Sequence, residues 1–143
     1  MHTDISSSKG VAKLLLRVSF GLSILFVGIT HYMTMSAFVP MVTDGLGAIS
    51  FLGTLWAYVL PGLMILGGAL FVIGMYTEIA TWAAGLALGS IPAGMLIKPV
   101  LSGVALGDMM PVAVNTFVWL LVFYFVAKSC SCCDCGSDNC KCK

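Results

Sequence analysis

Leu60 to Ile97 reads LPGLMILGGALFVIGMYTEIATWAAGLALGSIPAGMLI, and Glu78, near its middle, is its one formal charge. Two apolar arms flank a short polar centre, Tyr76-Thr77-Glu78. With its neighbours, each arm reaches the roughly 20 apolar residues needed to cross a bilayer. The stretch therefore reads as a transmembrane helical hairpin with its turn at Tyr76 to Glu78.

The rest of the chain follows the same chemistry. Of 143 residues, 59% are hydrophobic and 9% are charged, against about 25% charged in a soluble domain. So few charges cannot cover a water-facing surface, which places the chain in a lipid bilayer. Seven Lys and Arg, scattered along the chain, form no phosphate-binding face, so nucleic acid is excluded as a partner. The expected division is a polar N-terminal segment over 1–13, a membrane domain over 14–128 and a Cys-rich tail over 129–143. The spans are expected at about 14–33, 51–75, 79–97 and 108–127.

Lys9, Lys13 and Arg17 precede the first apolar run. That run is longer than the apolar core of a signal peptide and no small-residue cleavage site follows, so an uncleaved span is expected. Gly21 and Gly28 are seven residues apart and share a helix face that lets another helix come close. Between the first two spans, Pro40, Asp44, Gly45 and Gly47 interrupt an apolar stretch. Either a short surface helix or an irregular loop fits there. Trp56 and Tyr58 suit an interfacial anchor at the start of span two, and Pro61 is expected to kink that span. Gly67-Gly68 marks a close helix contact, and Gly85 with Gly89 forms a small-xxx-small pair. Lys98 to Gly107 is expected as the next loop.

Four spans put both termini on one side. That side holds Lys9, Lys13, Arg17, Lys128, Lys141 and Lys143, and the other holds Lys98 alone. The excess of basic residues places both termini in the cytoplasm. The expected fold is thus all-α and integral to the membrane: a four-transmembrane-helix bundle with both termini cytoplasmic.

Two segments carry a resemblance. RVSFGLSILFVGITHY, Arg17 to Tyr32, resembles the first span of the DoxX-like membrane proteins. LMILGGALFVIGMYTEIATWAAGLAL, Leu63 to Leu88, resembles that family's second and third spans, with a Gly-rich helix, a glycine before the turn, a Thr in it and an Ala-rich helix after it. The similarity covers Lys13 to Lys128. It implies a four-helix protein of a prokaryotic inner or plasma membrane that serves as a subunit of, or membrane partner to, a redox enzyme such as thiosulfate:quinone oxidoreductase. The chain departs from the family pattern in two places. His31 stands where a basic residue is usual, and Leu60-Pro61-Gly62 where an acidic residue is usual. The Cys-rich tail is outside the pattern as well.

Two constellations can carry chemistry. The tail, CSCCDCGSDNCKC, holds all six cysteines: Cys130, Cys132, Cys133, Cys135, Cys140 and Cys142. Thiolates at such spacing can converge on zinc, and soft sulfur also suits copper or an iron-sulfur cluster. A thiophilic metal is preferred here over a lipidated or unstructured tail. If the tail instead lies in an oxidising compartment, three disulfides become the alternative. The second constellation is His31, Tyr32, Lys98 and Asp108 at one set of span ends. Each alone suits an interfacial position; together they can border a shallow site for a quinone headgroup, with His31 as proton donor or acceptor. Asn115, deep in span four, is expected to make an interhelical hydrogen bond.

No nucleophile-base set, phosphate loop or carboxylate pair is present, so an autonomous enzyme is not expected. The leading expectation is a small integral subunit of a quinone-linked redox complex, contacting lipid and other membrane subunits. The alternatives are a membrane protein that handles a thiophilic metal through its tail, and a purely structural assembly protein.

Overall fold

The computed structural model describes residues 8–131, with side chains through Ser129. The described chain runs α1 (Ser8–Met33), α2 (Met35–Thr43), a 3-10 turn (Gly47–Ile49), α3 (Ser50–Ile73), α4 (Thr77–Ser102) and α5 (Leu106–Ser131). All but α2 and the 3-10 turn are long and apolar enough to cross a membrane. Many large apolar side chains face outward, among them Phe26, Leu55, Trp82, Phe117 and Leu121. Such a surface suits contact with a lipid bilayer, where outward apolar groups meet hydrocarbon rather than water.

The four long helices alternate in direction, and α3 is central, packing extensively against both α1 and α4. In lipid, burial of apolar surface adds little to helix association, so close van der Waals packing decides which helices meet. Small residues make that possible here. A methyl group added at Gly21 would stand 2.8 Å from the Gly68 carbonyl oxygen, and one at Gly68 would stand 2.6 Å from the Gly21 carbonyl oxygen. The two backbones therefore touch, and neither position has room for a side chain. Gly28 meets α3 the same way, with the Pro61 carbonyl oxygen 2.9 Å from its would-be methyl. The shared face of Gly21 and Gly28 is thus the α1–α3 seam. Gly67 packs against Ala84 across the α3–α4 seam, where the fully buried Ala80, Ala84 and Ala87 form the small-residue face of α4.

Gly89 takes no part in this packing. A methyl there would meet nothing within 4 Å, and one at Gly85 would meet only the ring edge of Phe123. The expected Gly85/Gly89 contact is therefore replaced by the alanine face of the same helix. At the end of the bundle that carries the termini, Phe20, Phe71, Trp119 and Phe123 form one aromatic cluster. Phe20 and Phe71 meet edge to face, with ring centroids 5.8 Å apart, and Phe123 lies 6.1 Å from Phe20 and 6.4 Å from Phe71.

The hairpin turn falls at Gly74 to Tyr76, slightly earlier than its polar residues suggest. Gly74 caps α3 with φ +78°, and Tyr76 precedes α4 with φ +50°. Gly74 suits this left-handed conformation, whereas Tyr76 holds it at a cost of roughly 1–2 kcal/mol. Arg17 reaches the turn from α1. Its guanidinium nitrogens lie 2.9 Å from where a Gly74 methyl would be. That puts a fixed positive charge at the C-terminus of α3, where the helix dipole favours a cation.

In one segment the structure decides between two expected alternatives, and in another it differs from expectation. Pro40 does not end the helix after α1; α2 continues to Thr43, and the Asp44 N–H bonds back to the Pro40 carbonyl at 2.8 Å. Phe38 is buried, and Met35, Val39 and Val42 pack on the core. The segment is thus a helix laid across the bundle end rather than an irregular loop. In the second case, α4 does not stop at Ile97. It runs through Pro99 to Ser102, ended by Gly103 with φ +67°. Lys98 is therefore a helix residue and not a loop residue.

Candidate functional site: a cavity beneath α2

A cavity of about 540 Å³ lies at the α2 end of the bundle, within the roughly 300–1,000 Å³ usual for small-molecule sites. All five helices contribute to its wall. Ile24, Val27 and His31 come from α1, and Phe38, Met41 and Val42 from α2. Trp56, Leu60 and Met64 come from α3, and Leu88, Ile91 and Lys98 from α4. Val112, Asn115, Thr116 and Trp119 come from α5. The wall is mostly apolar, with two indoles and a few polar groups.

Accounting for those polar groups separates two kinds. Some are already spent within the fold. The Trp56 indole N–H donates to Ser90 Oγ at 2.9 Å, and that hydroxyl donates to the Ala87 carbonyl at 2.8 Å. The Thr116 hydroxyl donates to the Val112 carbonyl at 2.8 Å. These groups orient the wall and have little capacity left for a ligand.

Four others retain capacity: the Trp119 indole N–H, which makes no hydrogen bond to another described residue, and His31, Lys98 and Asn115. His31 Nδ1 is 2.6 Å from the Val27 carbonyl oxygen. A carbonyl can only accept, so Nδ1 carries the proton, and a neutral ring then keeps its lone pair on Nε2. The ring is held edge-on to Phe38, centroids 4.2 Å apart. Lys98 is only 5% exposed. Its ammonium donates to the Met41 carbonyl of α2, which leaves two of its three N–H donors for other acceptors. Asp44, at the end of α2, is the acid whose charge reaches it. Asn115 lines the cavity and makes no side-chain hydrogen bond to another described residue. The interhelical bond expected of it is absent among the described residues. Polar side chains at membrane depth usually face a cavity and mark a pathway or site.

The structure therefore divides the four residues read from the sequence as a quinone-site border. His31 and Lys98 both line the cavity. Tyr32 does not, since its hydroxyl donates to the Tyr58 carbonyl at 2.9 Å and supports α3 one turn before Gly62. Asp108 does not either. It is an exposed acid in the first turn of α5, where an acid suits the N-terminal dipole. Asn115, Trp56 and Trp119 are the cavity residues that the sequence reading passed over as candidates. The available signal for Asn115 was an amide in the middle of an apolar span. The tail site proposed for Cys130, Cys132, Cys133, Cys135, Cys140 and Cys142 lies outside the described side chains. Among the described residues, no group of three or more His, Cys, Asp or Glu side chains is placed to hold a metal.

Comparison with protein-family models, curated proteins and solved structures gives no match.

Proposed function

We propose that the protein is a small integral subunit of a membrane redox complex and that its cavity holds the ring of a lipid-soluble quinone. One observation carries this reading: a mostly apolar cavity of about 540 Å³ whose polar groups with remaining hydrogen-bonding capacity include a buried ammonium, an imidazole, an amide and an indole N–H. A quinone needs an apolar slot for its ring and hydrogen-bond partners for its oxygens, and the cavity offers both. The resemblance to DoxX-like proteins supports a redox assembly, and the broad apolar outer surface leaves room for partner helices. The excess of basic residues at the ends supports both termini being cytoplasmic. The cavity then opens toward the opposite leaflet, within reach of the quinone pool.

Tryptophan fluorescence provides the test. Trp82 is exposed and outside the cavity, whereas Trp56 and Trp119 line it. In a Trp82→Phe background, adding a short-tailed quinone to the protein in nanodiscs should quench the remaining emission saturably. Lys98→Met should weaken binding about tenfold, the usual effect of losing a hydrogen bond to a charged group. Quenching that rises linearly with quinone, and equally in both variants, would remove the quinone reading.

The tail supports a second, compatible reading as a site for a thiophilic metal. Six cysteines crowd into Cys130 to Cys142, and turn formers between them let the chain fold back. The intact protein purified under reducing conditions should carry zinc or copper that a six-fold Cys→Ser variant lacks. Equal metal content in both would leave the tail without this role.

A further inference from the structure

Asn115 is the polar group of the cavity that neither the helix packing nor the shallow end of the site uses. Lys98 lies four residues before the end of α4, and Asn115 lies nine residues after the start of α5. At 1.5 Å per residue they sit about 6 Å and about 13 Å from the α4–α5 connection, so Asn115 is the deeper by roughly 7 Å. His31, two residues from the end of α1, belongs to the shallow level with Lys98. Of the polar neighbours at the deep level, Thr116 is committed to Val112 and Ser90 to Trp56 and Ala87, while the Trp119 indole N–H is a donor only and cannot stand in for the amide. Asn115, an exposed residue of α5 that also lines the cavity, thus keeps two donors and an acceptor with no side-chain hydrogen bond to another described residue.

From this arrangement we infer that Asn115 is a specificity-determining residue that selects a ligand with hydrogen-bonding oxygens at both ends of a rigid ring. Lys98 and His31 take the shallow oxygen and Asn115 takes the deep one. The inference rests on the quinone reading of the cavity and goes beyond it, because a ligand with a single polar head, such as a fatty acid, would satisfy Lys98 and leave Asn115 bare. A site built to hydrogen-bond a ligand oxygen discriminates strongly against an analogue without it, since the protein group is then left unpaired.

The experiment compares three probes carrying the same short alkyl tail: a 1,4-quinone, the matching ring with one oxygen removed, and a fatty acid. They are titrated into the intact Trp82→Phe protein in nanodiscs, with and without Asn115→Leu. Wild-type Asn115 should favour the two-oxygen ring over the one-oxygen ring by about threefold to tenfold. Asn115→Leu should erase that preference while leaving the affinity for the one-oxygen ring and the fatty acid unchanged. Asn115→Ala serves as a second variant should the leucine side chain block the cavity. A preference that survives in both variants would overturn the role of Asn115 and leave the quinone reading standing. A fatty acid that binds as tightly as the quinone would also overturn it. If no probe binds the wild-type protein saturably, the inference falls together with the quinone reading.

Discussion

Around Gly21, Gly68 and Phe71, α1 and α3 meet closely, whereas around His31, Lys98 and Asn115 the bundle leaves about 540 Å³ of space. The filled half is built from glycines, alanines and aromatic rings, all of which satisfy themselves by contact. The hollow half is roofed by a separate short helix and holds side chains whose hydrogen bonding is incomplete. Residues 8–131 are almost entirely helical, so the difference between the two halves lies in side-chain size. Small residues bring α1 and α3 together at Gly21 and Gly68, whereas the bulky side chains of Phe38 and Trp56 line the space at the α2 end.

The sharpest way to break this contrast is to overfill the closed half. Gly68→Leu must push the Gly21 backbone away, and we expect a loss of more than about 3 kcal/mol, beyond ordinary overpacking. Phe71→Ala, at a site with no exposure, should cost about 3–5 kcal/mol. Unfolding in graded denaturing detergent reads both, and little change in either would show that this seam is not what holds the bundle. In the hollow half, His31→Leu and Lys98→Met should leave unfolding within about 1 kcal/mol of wild type while lowering quinone affinity about tenfold. Equal losses of stability and binding would make these residues structural after all. Within α4, Gly85→Leu should cost about 1 kcal/mol as the Phe123 ring shifts, and Gly89→Leu should cost nothing measurable. A reversed order would place the packing face on the wrong side of α4. The smallest effect is expected at the turn. Tyr76→Asn should stabilise by less than about 1 kcal/mol, because Asn tolerates positive φ better than Tyr.

How much of this was readable from residues alone follows the range of each interaction. The four long apolar segments, the hairpin turn and the α1 face of Gly21 and Gly28 all depend on spacing within about one helix, and these were legible. The partner of that face was not, because nothing local pairs Gly21 with Gly68. Lys98 is the clearest miss. It was expected to open a loop, yet α4 continues to Ser102, and the ammonium finds Met41, 57 residues away in sequence. The same distance hid the role of α2, whose residues read equally well as a short surface helix or as an irregular loop. For Asn115, depth in the span was visible but the missing partner was not. An absent hydrogen bond is a property of the assembled packing.

The α1–α3 seam also constrains how the protein is made. The chain leaves the ribosome from its N-terminus, so α1 reaches the bilayer before α3. Its main partner is not its neighbour in sequence but α3, which follows only after α2 and the 3-10 turn. Until then, Gly21 and Gly28 have only lipid beside them, and the helix waits as an independently inserted span. By contrast, α3 and α4 are joined by a three-residue turn and can pair as soon as α4 emerges. Biogenesis therefore depends on α1 remaining close by, unpaired, during synthesis of the next forty residues or so, between Met33 and the end of α3 at Ile73.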